Sequence, residues 1–232
     1  MLYAIGDLHL SFEANKPMDV FGKRWVGYVE KLRRGLSVIG PEDTTVLLGD
    51  LSWSMDLEHA VADFGFISAI PGRKIILKGN HDYWWTTAAK FYRFCQEHDY
   101  KDMWVLNNNC YSYDGIAICG TRGWFYEEDR QGTHDEKVFR RELIRLETSL
   151  QAAGEAEKLC FLHYPPVYRG YLCRPILDLL HQYGVKRCFY GHLHSESHAL
   201  AVTGDFEGID FRLVSADYTD FCPIPVKTSE NG

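Results

Sequence analysis

The feature that most constrains the fold of this sequence is a recurring short apolar run with a polar residue just after it. The runs are Leu2–Ile5 before Gly6-Asp7, 45–48 before Gly49-Asp50, 74–77 before Gly79-Asn80-His81, 159–162 before His163, and Arg187–Tyr190 before Gly191-His192. Runs of this length that are rich in Val, Ile, Leu and Phe predict buried strands. Because open α/β sheets place their sites just past strand ends, these polar residues are candidate site residues.

Amphipathic stretches of helical length lie between the apolar runs. They predict helices over residues 25–38, 57–70, 86–98, 136–150 and 175–183. A hairpin is predicted over residues 110–119 with its turn at Asp114-Gly115, and a second strand pair over residues 197–202 and 206–214. The alternation of strands and helices predicts one mixed α/β domain over residues 1–232.

Composition and charge narrow the classes of partner. The chain has 232 residues, 46% of them hydrophobic, and a formal net charge of −7 with no long basic run. An extended nucleic acid is therefore not an expected partner. We expect a cytoplasmic protein with no membrane partner, because no leader or long apolar stretch is present. The seven scattered cysteines predict neither a disulfide framework nor a thiolate zinc site.

Carboxylate, imidazole and amide side chains make up the motifs at the predicted strand ends. In chain order the motifs are Gly6-Asp7-Leu8-His9, Gly49-Asp50, Gly79-Asn80-His81-Asp82, His163 and Gly191-His192-Leu193-His194. Taken singly, such motifs usually mark turns, but their occurrence together and in order favours a metal site. The donors suit Mn²⁺, Fe, Zn²⁺ or Co²⁺ better than Mg²⁺ or Ca²⁺. They suffice for two cations about 3.5–4 Å apart that share one carboxylate.

Together the motifs resemble those of the calcineurin-like metallophosphoesterase superfamily, and they extend from Asp7 to His194. The resemblance implies a four-layer αββα sandwich with two mixed β-sheets flanked by helices. It also implies hydrolysis of a phosphomonoester or phosphodiester by a water activated between two divalent cations. Mn²⁺ is the expected metal, with Fe, Zn²⁺ and Co²⁺ as alternatives. The expected substrate is a small phosphate ester, with a nucleotide as one candidate.

The resemblance further implies a role for each matching residue. Asp7, His9 and His194 would bind one cation, Asn80, His163 and His192 would bind the other, and Asp50 would bridge the two. His81 would contact the substrate phosphate and protonate the leaving group, which makes it the expected catalytic residue.

Two departures from related branches of the superfamily bear on the substrate. The protein-phosphatase branch reads G-D-x-x-D-R-G at the second motif, where this chain has Trp53 and Ser54 in place of the Asp and Arg. A protein serine/threonine phosphatase is therefore disfavoured. The hydrolases of the lipid A pathway resemble G-N-R-D at the third motif, where this chain has His81. The substrate of those hydrolases, a pyrophosphate that joins a nucleotide to a lipid, is therefore disfavoured as well.

Ser54 stands where the protein-phosphatase branch has a phosphate-binding Arg. Arg122, which follows a predicted strand, is the candidate to bind the phosphate instead. Its side chain can hold a phosphate through two parallel hydrogen bonds. Either Asp82 or Asp56 is a candidate for orienting His81. Two alternative functions stay open: a nuclease that acts on nucleic-acid ends, and a metal-binding scaffold subunit without activity. The sequence leaves the oligomeric state open.

Overall fold

The structure is a computed structural model that describes residues 1–125 and 133–226. The chain also has an acidic run, Glu127-Glu128-Asp129, a pattern that favours a solvated face, and this run lies outside the described residues. None of the helices in the described residues combines the length and the apolar character that crossing a bilayer requires.

Strands and helices alternate along most of the chain. In chain order the strands are β1 Leu2–Ile5, β2 Thr44–Leu47, β3 Arg73–Ile76, β4 Met103–Val105, β5 Tyr111–Tyr113, β6 Ile116–Thr121, β7 Glu157–Leu162, β8 Val167–Tyr168, β9 Tyr171–Leu172, β10 Arg187–Tyr190, β11 Gly204–Phe206, β12 Ile209–Leu213 and β13 Ile224–Pro225. The α-helices are α1 Tyr28–Leu36, α2 Val61–Ser68, α3 Ala88–Glu97, α4 Thr133–Ala152 and α5 Arg174–Gln182. Short 3₁₀ helices cover Met18–Phe21, Lys23–Trp25, Glu58–Ala60 and Ser195–Leu200.

The strands form two mixed sheets and a small hairpin of β8 and β9. The first sheet has the order β13-β1-β2-β3-β4, in which β1 to β4 are parallel and β13 is antiparallel. The second has the order β11-β12-β10-β7-β6-β5, in which the four central strands are parallel and the two edge strands antiparallel. Parallel central strands bring their carboxyl ends to one edge of each sheet.

Alternate residues of the central strands face different apolar layers, because successive side chains of a strand point to opposite faces. In β1, Ala4 belongs to the layer between the two sheets, and Ile5 to the layer under α1, α2 and α3. The same division separates Val46 from Leu47 in β2. A third layer packs α4 and α5 against the outer face of the second sheet. This arrangement confirms the predicted αββα sandwich.

The two helices predicted nearest the N-terminus are shorter than the sequence pattern indicates. Gly27 has a left-handed backbone with φ of 65°, so α1 begins only at Tyr28, and Lys23–Trp25 is a separate 3₁₀ turn. A left-handed residue cannot continue a right-handed helix, whatever the apolar spacing around it. The pattern over residues 57–70 likewise divides into a 3₁₀ turn and α2.

The predicted strand over residues 197–202 is wrong. Ser195–Leu200 is a 3₁₀ helix, because the Ser197 hydroxyl donates to the His194 carbonyl oxygen and accepts a hydrogen bond from the His194 amide. Such a local side-chain bond offers the backbone an alternative to a strand ladder. The hairpin in this region instead joins β11 to β12 through a turn at Glu207-Gly208, where both residues have positive φ.

One helical glycine is required by close packing. A Cβ at Gly35 of α1 would lie 2.0 Å from the carbonyl oxygen of Phe221, whereas one at Gly65 of α2 would lie 3.4 Å from the Tyr100 hydroxyl. We predict that Gly35→Ala lowers the free energy of unfolding by about 1–3 kcal/mol through overpacking. Gly65→Ala is the matched control and should raise it by up to about 1 kcal/mol. Urea unfolding measures both, and equal effects would contradict the prediction.

Candidate metal centre

Polar side chains from both sheets meet at the edge where the parallel strands end. Asp7 follows β1, Asp50 follows β2, and Asn80 follows β3 in the first sheet, while His163 follows β7 and His192 follows β10 in the second. The two sheets therefore supply opposite walls of one site. This placement corresponds to the carboxyl-end rule for open α/β sheets.

Several of these residues have strained backbones. Asp7, His9, Asp50 and His192 are in the left-handed region, with φ values of 60°, 47°, 50° and 72°. Non-glycine residues rarely adopt this conformation, and such residues concentrate at functional sites. The neighbouring glycines leave room for the loops to approach each other. A Cβ at Gly79 would lie 2.1 Å from Asp50 Oδ1, and one at Gly191 would lie 2.5 Å from Asp7 Oδ2.

The first group of converging donors consists of Asp7, His9 and His194, whose donor atoms all lie within 4.8 Å of one another. His9 Nε2 lies 3.3 Å from His194 Nε2, and His194 Nε2 lies 3.3 Å from Asp7 Oδ1. Asp7 and His9 are buried.

The second group consists of Asp50, His163 and His192, which meet the same distance criterion. The amide of Asn80 joins this group, because its Oδ1 lies 2.7 Å from His163 Nε2 and 2.8 Å from His192 Nδ1. All seven residues predicted as metal ligands are thus brought to one place.

Asp50 belongs to the second group and also faces the first. Its Oδ1 is 3.6 Å from His163 Nε2, and its Oδ2 is 3.8 Å from His9 Nε2. One oxygen therefore faces each group. This is the arrangement that a shared carboxylate requires.

The pKa values of the site show that the carboxylates draw positive charge to it. Burial lowers the pKa of His194, but the carboxylates of Asp7 and Asp217 outweigh burial and raise the pKa to about 10. Burial raises the pKa of Asp7, yet the imidazoles of His194, His163 and His9 outweigh it and hold that pKa well below its usual range. Burial raises the pKa of Asp50 to about 7 despite the attraction of His163. The donor set therefore fits a cation.

A family model described as calcineurin-like phosphoesterase matches residues 2–196. The chain belongs to this family. The family depends on divalent metals, and the two groups of converging donors are the candidate ligands of this phosphoesterase. No curated protein matches the chain.

Solved structures share the fold at low sequence identity. A phosphopantetheinyl hydrolase from Mycobacterium tuberculosis has a TM-score of 0.58 at 13% identity, with 100% of this chain and 97% of that chain covered. The protein AQ665 from Aquifex aeolicus has a TM-score of 0.52 at 19% identity, with coverages of 97% and 94%. The protein TT1561 of Thermus thermophilus has a TM-score of 0.52 at 13% identity, with 85% of both chains covered. These similarities support the fold of the phosphoesterase.

A second layer of hydrogen bonds orients the imidazoles of the phosphoesterase. His163 Nδ1 lies 2.9 Å from the carbonyl oxygen of Leu48, and its Nε2 faces Asn80 Oδ1 and Asp50 Oδ1. His194 Nδ1 lies 2.9 Å from Asp217 Oδ1. A carboxylate behind an imidazole fixes the ring and makes it a stronger ligand.

Asp217 was missed by the sequence analysis, although a signal for it exists. It lies four residues beyond β12, which is parallel to β10 and so ends at the same edge of the second sheet. Like the residues of the metal motifs, Asp217 thus follows a predicted strand, here the one over residues 206–214. Asp217 is fully buried, and its other oxygen accepts a hydrogen bond from the Ser195 amide.

His81 lies at a cavity of about 440 Å³ beside the first group of donors. Its amide donates to Asp50 Oδ1 at 2.7 Å, and its ring packs on Trp53 with centroids 4.4 Å apart. Lys16, also missed by the sequence analysis, has its Nζ 3.1 Å from the centroid of a Trp53 ring. No feature of the sequence around Lys16 indicates this position.

Asp82 and Asp56, the two candidates for orienting the His81 ring, have other hydrogen-bond partners. The Asp82 carboxylate accepts hydrogen bonds from the amides of Asp50, Leu51 and Gly79 at 2.7–2.8 Å, and so fixes the loops rather than the imidazole. Asp56 pairs with the exposed His59. The His81 ring instead has the Tyr83 hydroxyl 3.2 Å from its Nδ1.

Arg122 follows β6, as predicted, and its guanidinium pairs with the buried Glu142 at 3.3 Å and lies over the Trp124 ring. It borders a different cavity from the one at His81. Its carbonyl oxygen accepts hydrogen bonds from the His163 and Tyr164 amides at 3.1 and 2.8 Å, which connects its loop to the second group of donors.

We predict that Asp217→Asn weakens Mn²⁺ binding by about 10–100-fold, because the amide no longer holds His194 as a basic ligand. Calorimetric titration of chelator-stripped protein measures the affinity. Asp205→Asn, an equal charge change at an exposed residue of the edge strand β11, is the control and should leave the affinity unaltered. An unchanged affinity in Asp217→Asn would show that this carboxylate does not support metal binding.

Proposed function

We propose that this chain is a dinuclear, metal-dependent hydrolase of phosphomonoesters or phosphodiesters. The observation that carries the proposal is the position of Asp50, whose oxygens lie 3.6 Å from His163 Nε2 and 3.8 Å from His9 Nε2. A single carboxylate between two sets of imidazoles suits two cations held close together. The repulsion between such cations is reduced by the negative charge they share.

The residues of each set follow from the convergence of their donor atoms. One cation would be held by Asp7, His9 and His194, the other by Asn80, His163 and His192, with Asp50 shared. Nitrogen and oxygen donors in this mixture favour Mn²⁺, with Fe, Zn²⁺ and Co²⁺ as alternatives. When bound, such cations supply charge neutralisation for the phosphate oxygens and a more acidic water as the nucleophile.

His81 is the proposed proton donor to the leaving group. Its amide bond to Asp50 and its packing on Trp53 fix it at the wall of the cavity. Burial, together with the nearby His163 and Lys16, lowers the pKa of His81 to about 4, so the free protein holds it neutral at pH 7. A phosphate dianion beside the ring raises that pKa, because an opposite charge favours the protonated form. Substrate binding would thus favour uptake from solvent of the proton that the acid role needs.

The residues that line the same cavity indicate which kind of leaving group it would accept. Met18, Phe21, Trp25 and Trp53 line it together with His81. Aromatic and apolar walls favour an alcohol that carries a flat or apolar portion, such as a nucleoside. The phosphopantetheinyl hydrolase that shares this fold adds phosphopantetheine esters to the compounds worth testing.

A panel of phosphate esters assayed with Mn²⁺ tests the proposal. We expect hydrolysis of at least one ester and its complete loss in EDTA, with circular dichroism unchanged because the apolar layers do not depend on metal. Asp50→Asn should lower both the rate and the metal content. Absence of hydrolysis across the panel with two equivalents of Mn²⁺ bound would refute the proposal. Binding of one equivalent at saturation would refute its dinuclear part.

We predict that His81→Ala slows alkyl phosphate hydrolysis much more than 4-nitrophenyl phosphate hydrolysis. General acid catalysis is worth about 10²–10⁴-fold, and only the alkoxide needs a proton as its bond breaks. The kcat of both esters is measured at equal metal content. Equal slowing of the two would remove His81 from the acid role and leave it as a phosphate contact. If kcat instead falls in proportion to the metal that the variant loses, His81 has only a structural role in the turn.

A further inference from the structure

Besides the cavity at His81, a second cavity of about 350 Å³ lies beside the candidate metal centre, and its lining is polar. Three cationic side chains border it within the described residues: Lys78, which follows β3, Arg122, which follows β6, and Arg145 on α4. Thr86, Thr87 and Asn107 add polar groups to its lining. None of these residues is among the candidate metal ligands.

The positive charge of this cavity exceeds what its carboxylate neutralises. Glu142 is the carboxylate that borders the cavity in the part of the chain the structure describes. Its Oε1 lies 2.6 Å from an Arg145 nitrogen and 3.3 Å from an Arg122 nitrogen, and its Oε2 accepts a hydrogen bond from the Thr121 hydroxyl at 2.7 Å. One buried negative charge is thus shared by two guanidiniums, and Glu142 holds both in place.

Lys78 adds a third charge to this pair of guanidiniums. It borders the same cavity as Arg122 and Arg145, whose guanidiniums already share the one Glu142 carboxylate. Arg122 Nε is moreover buried without a hydrogen-bond partner in the described residues. Cations that repel one another around a polar cavity are stabilised by an anion, and guanidinium and ammonium groups suit the oxygens of a phosphate.

The cavity shares two loops with the candidate metal centre. Lys78 is separated from Asn80 by Gly79 alone, and the Arg122 carbonyl oxygen accepts hydrogen bonds from the His163 and Tyr164 amides. The first turn of α3 also borders the cavity at Ala88, and helix N-termini favour negative charge. A ligand at the metal centre would therefore lie next to a second group of positively charged side chains.

We propose that Lys78, Arg122 and Arg145 bind a phosphate group, separate from the reacting one, that belongs to the substrate. The substrate class is then an ester that carries a second phosphate, and this assignment rests on the proposed function. Arg122 keeps the substrate-binding role expected from the sequence, with the second phosphate as its partner. The same chemistry would admit a free phosphate ion, which the experiment distinguishes.

Inorganic phosphate binding in excess EDTA tests the site without any contribution from metal. We expect calorimetry to detect binding that weakens as salt rises. Arg145→Met and Lys78→Met should each weaken it at least about tenfold, since each removes a charged contact. Arg141→Met is the matched control, because Arg141 lies one turn earlier on α4, is exposed and points its Nε at the Lys137 carbonyl oxygen. Circular dichroism checks the fold of each variant.

A series of alkanediol bisphosphates of increasing length, with the matching alkyl monophosphates, identifies the source of the phosphate. Both series are used as inhibitors of 4-nitrophenyl phosphate hydrolysis in Mn²⁺. We expect one length of bisphosphate to inhibit at least about tenfold better than its monophosphate, with the advantage lost in Arg145→Met. Absence of an advantage at every length would overturn the substrate assignment in favour of free phosphate.

The two experiments also separate this inference from the proposed function. Phosphate binding in EDTA that is absent, or equal in Arg145→Met and wild-type protein, would overturn the cavity as a phosphate site while ester hydrolysis stands. Phosphate binding without hydrolysis of any ester would overturn the substrate assignment together with the proposed function, and would leave only the anion site.

Discussion

The burial of aspartates at one edge of the sandwich is the constraint on which the site depends. Asp7, Asp50, Asp82 and Asp217 are each at most 1% exposed. A buried carboxylate costs on the order of several kcal/mol unless it is paired and hydrogen-bonded. Backbone amides satisfy Asp82, and His194 pairs with Asp217. Asp50 is the least compensated, since burial raises its pKa to about 7, and it is the carboxylate that faces both groups of imidazoles.

The same carboxylates hold the strained loops together. Asp50 has a left-handed backbone, and its amide donates to the Asp82 carboxylate at 2.8 Å, so the loop after β3 fixes the loop after β2. Across the sandwich, the His192 amide lies 3.0 Å from Asp7 Oδ2, which joins the loop after β10 to the loop after β1. Strain of this kind persists only where surrounding bonds determine the conformation. The two sheets are therefore joined at the site by side chains as well as by the apolar layer between them.

Two cavities with different walls flank the candidate metal centre. Aromatic rings surround the one at His81, while cationic side chains surround the one at Arg122. The difference suits a substrate whose two ends differ in polarity, with an apolar or flat portion on one side and negative charge on the other. The overall charge of −7 does not conflict with this, because binding depends on the local arrangement of charge rather than on the net value.

The sequence by itself determined the central strands and the candidate ligands. Buried parallel strands are continuous apolar runs, and the residues after them, such as Asp7 and His163, must reach the edge where the strands end. Local backbone chemistry was harder to predict: the left-handed Gly27 shortens α1, and the Ser197 hydroxyl forms a 3₁₀ turn where a strand was predicted. Only the tertiary structure decided which group is the hydrogen-bond partner of each imidazole. It also decided that Arg145 and Lys78 border the same cavity. These contacts link residues far apart in the chain, so no periodicity or motif records which of them will meet.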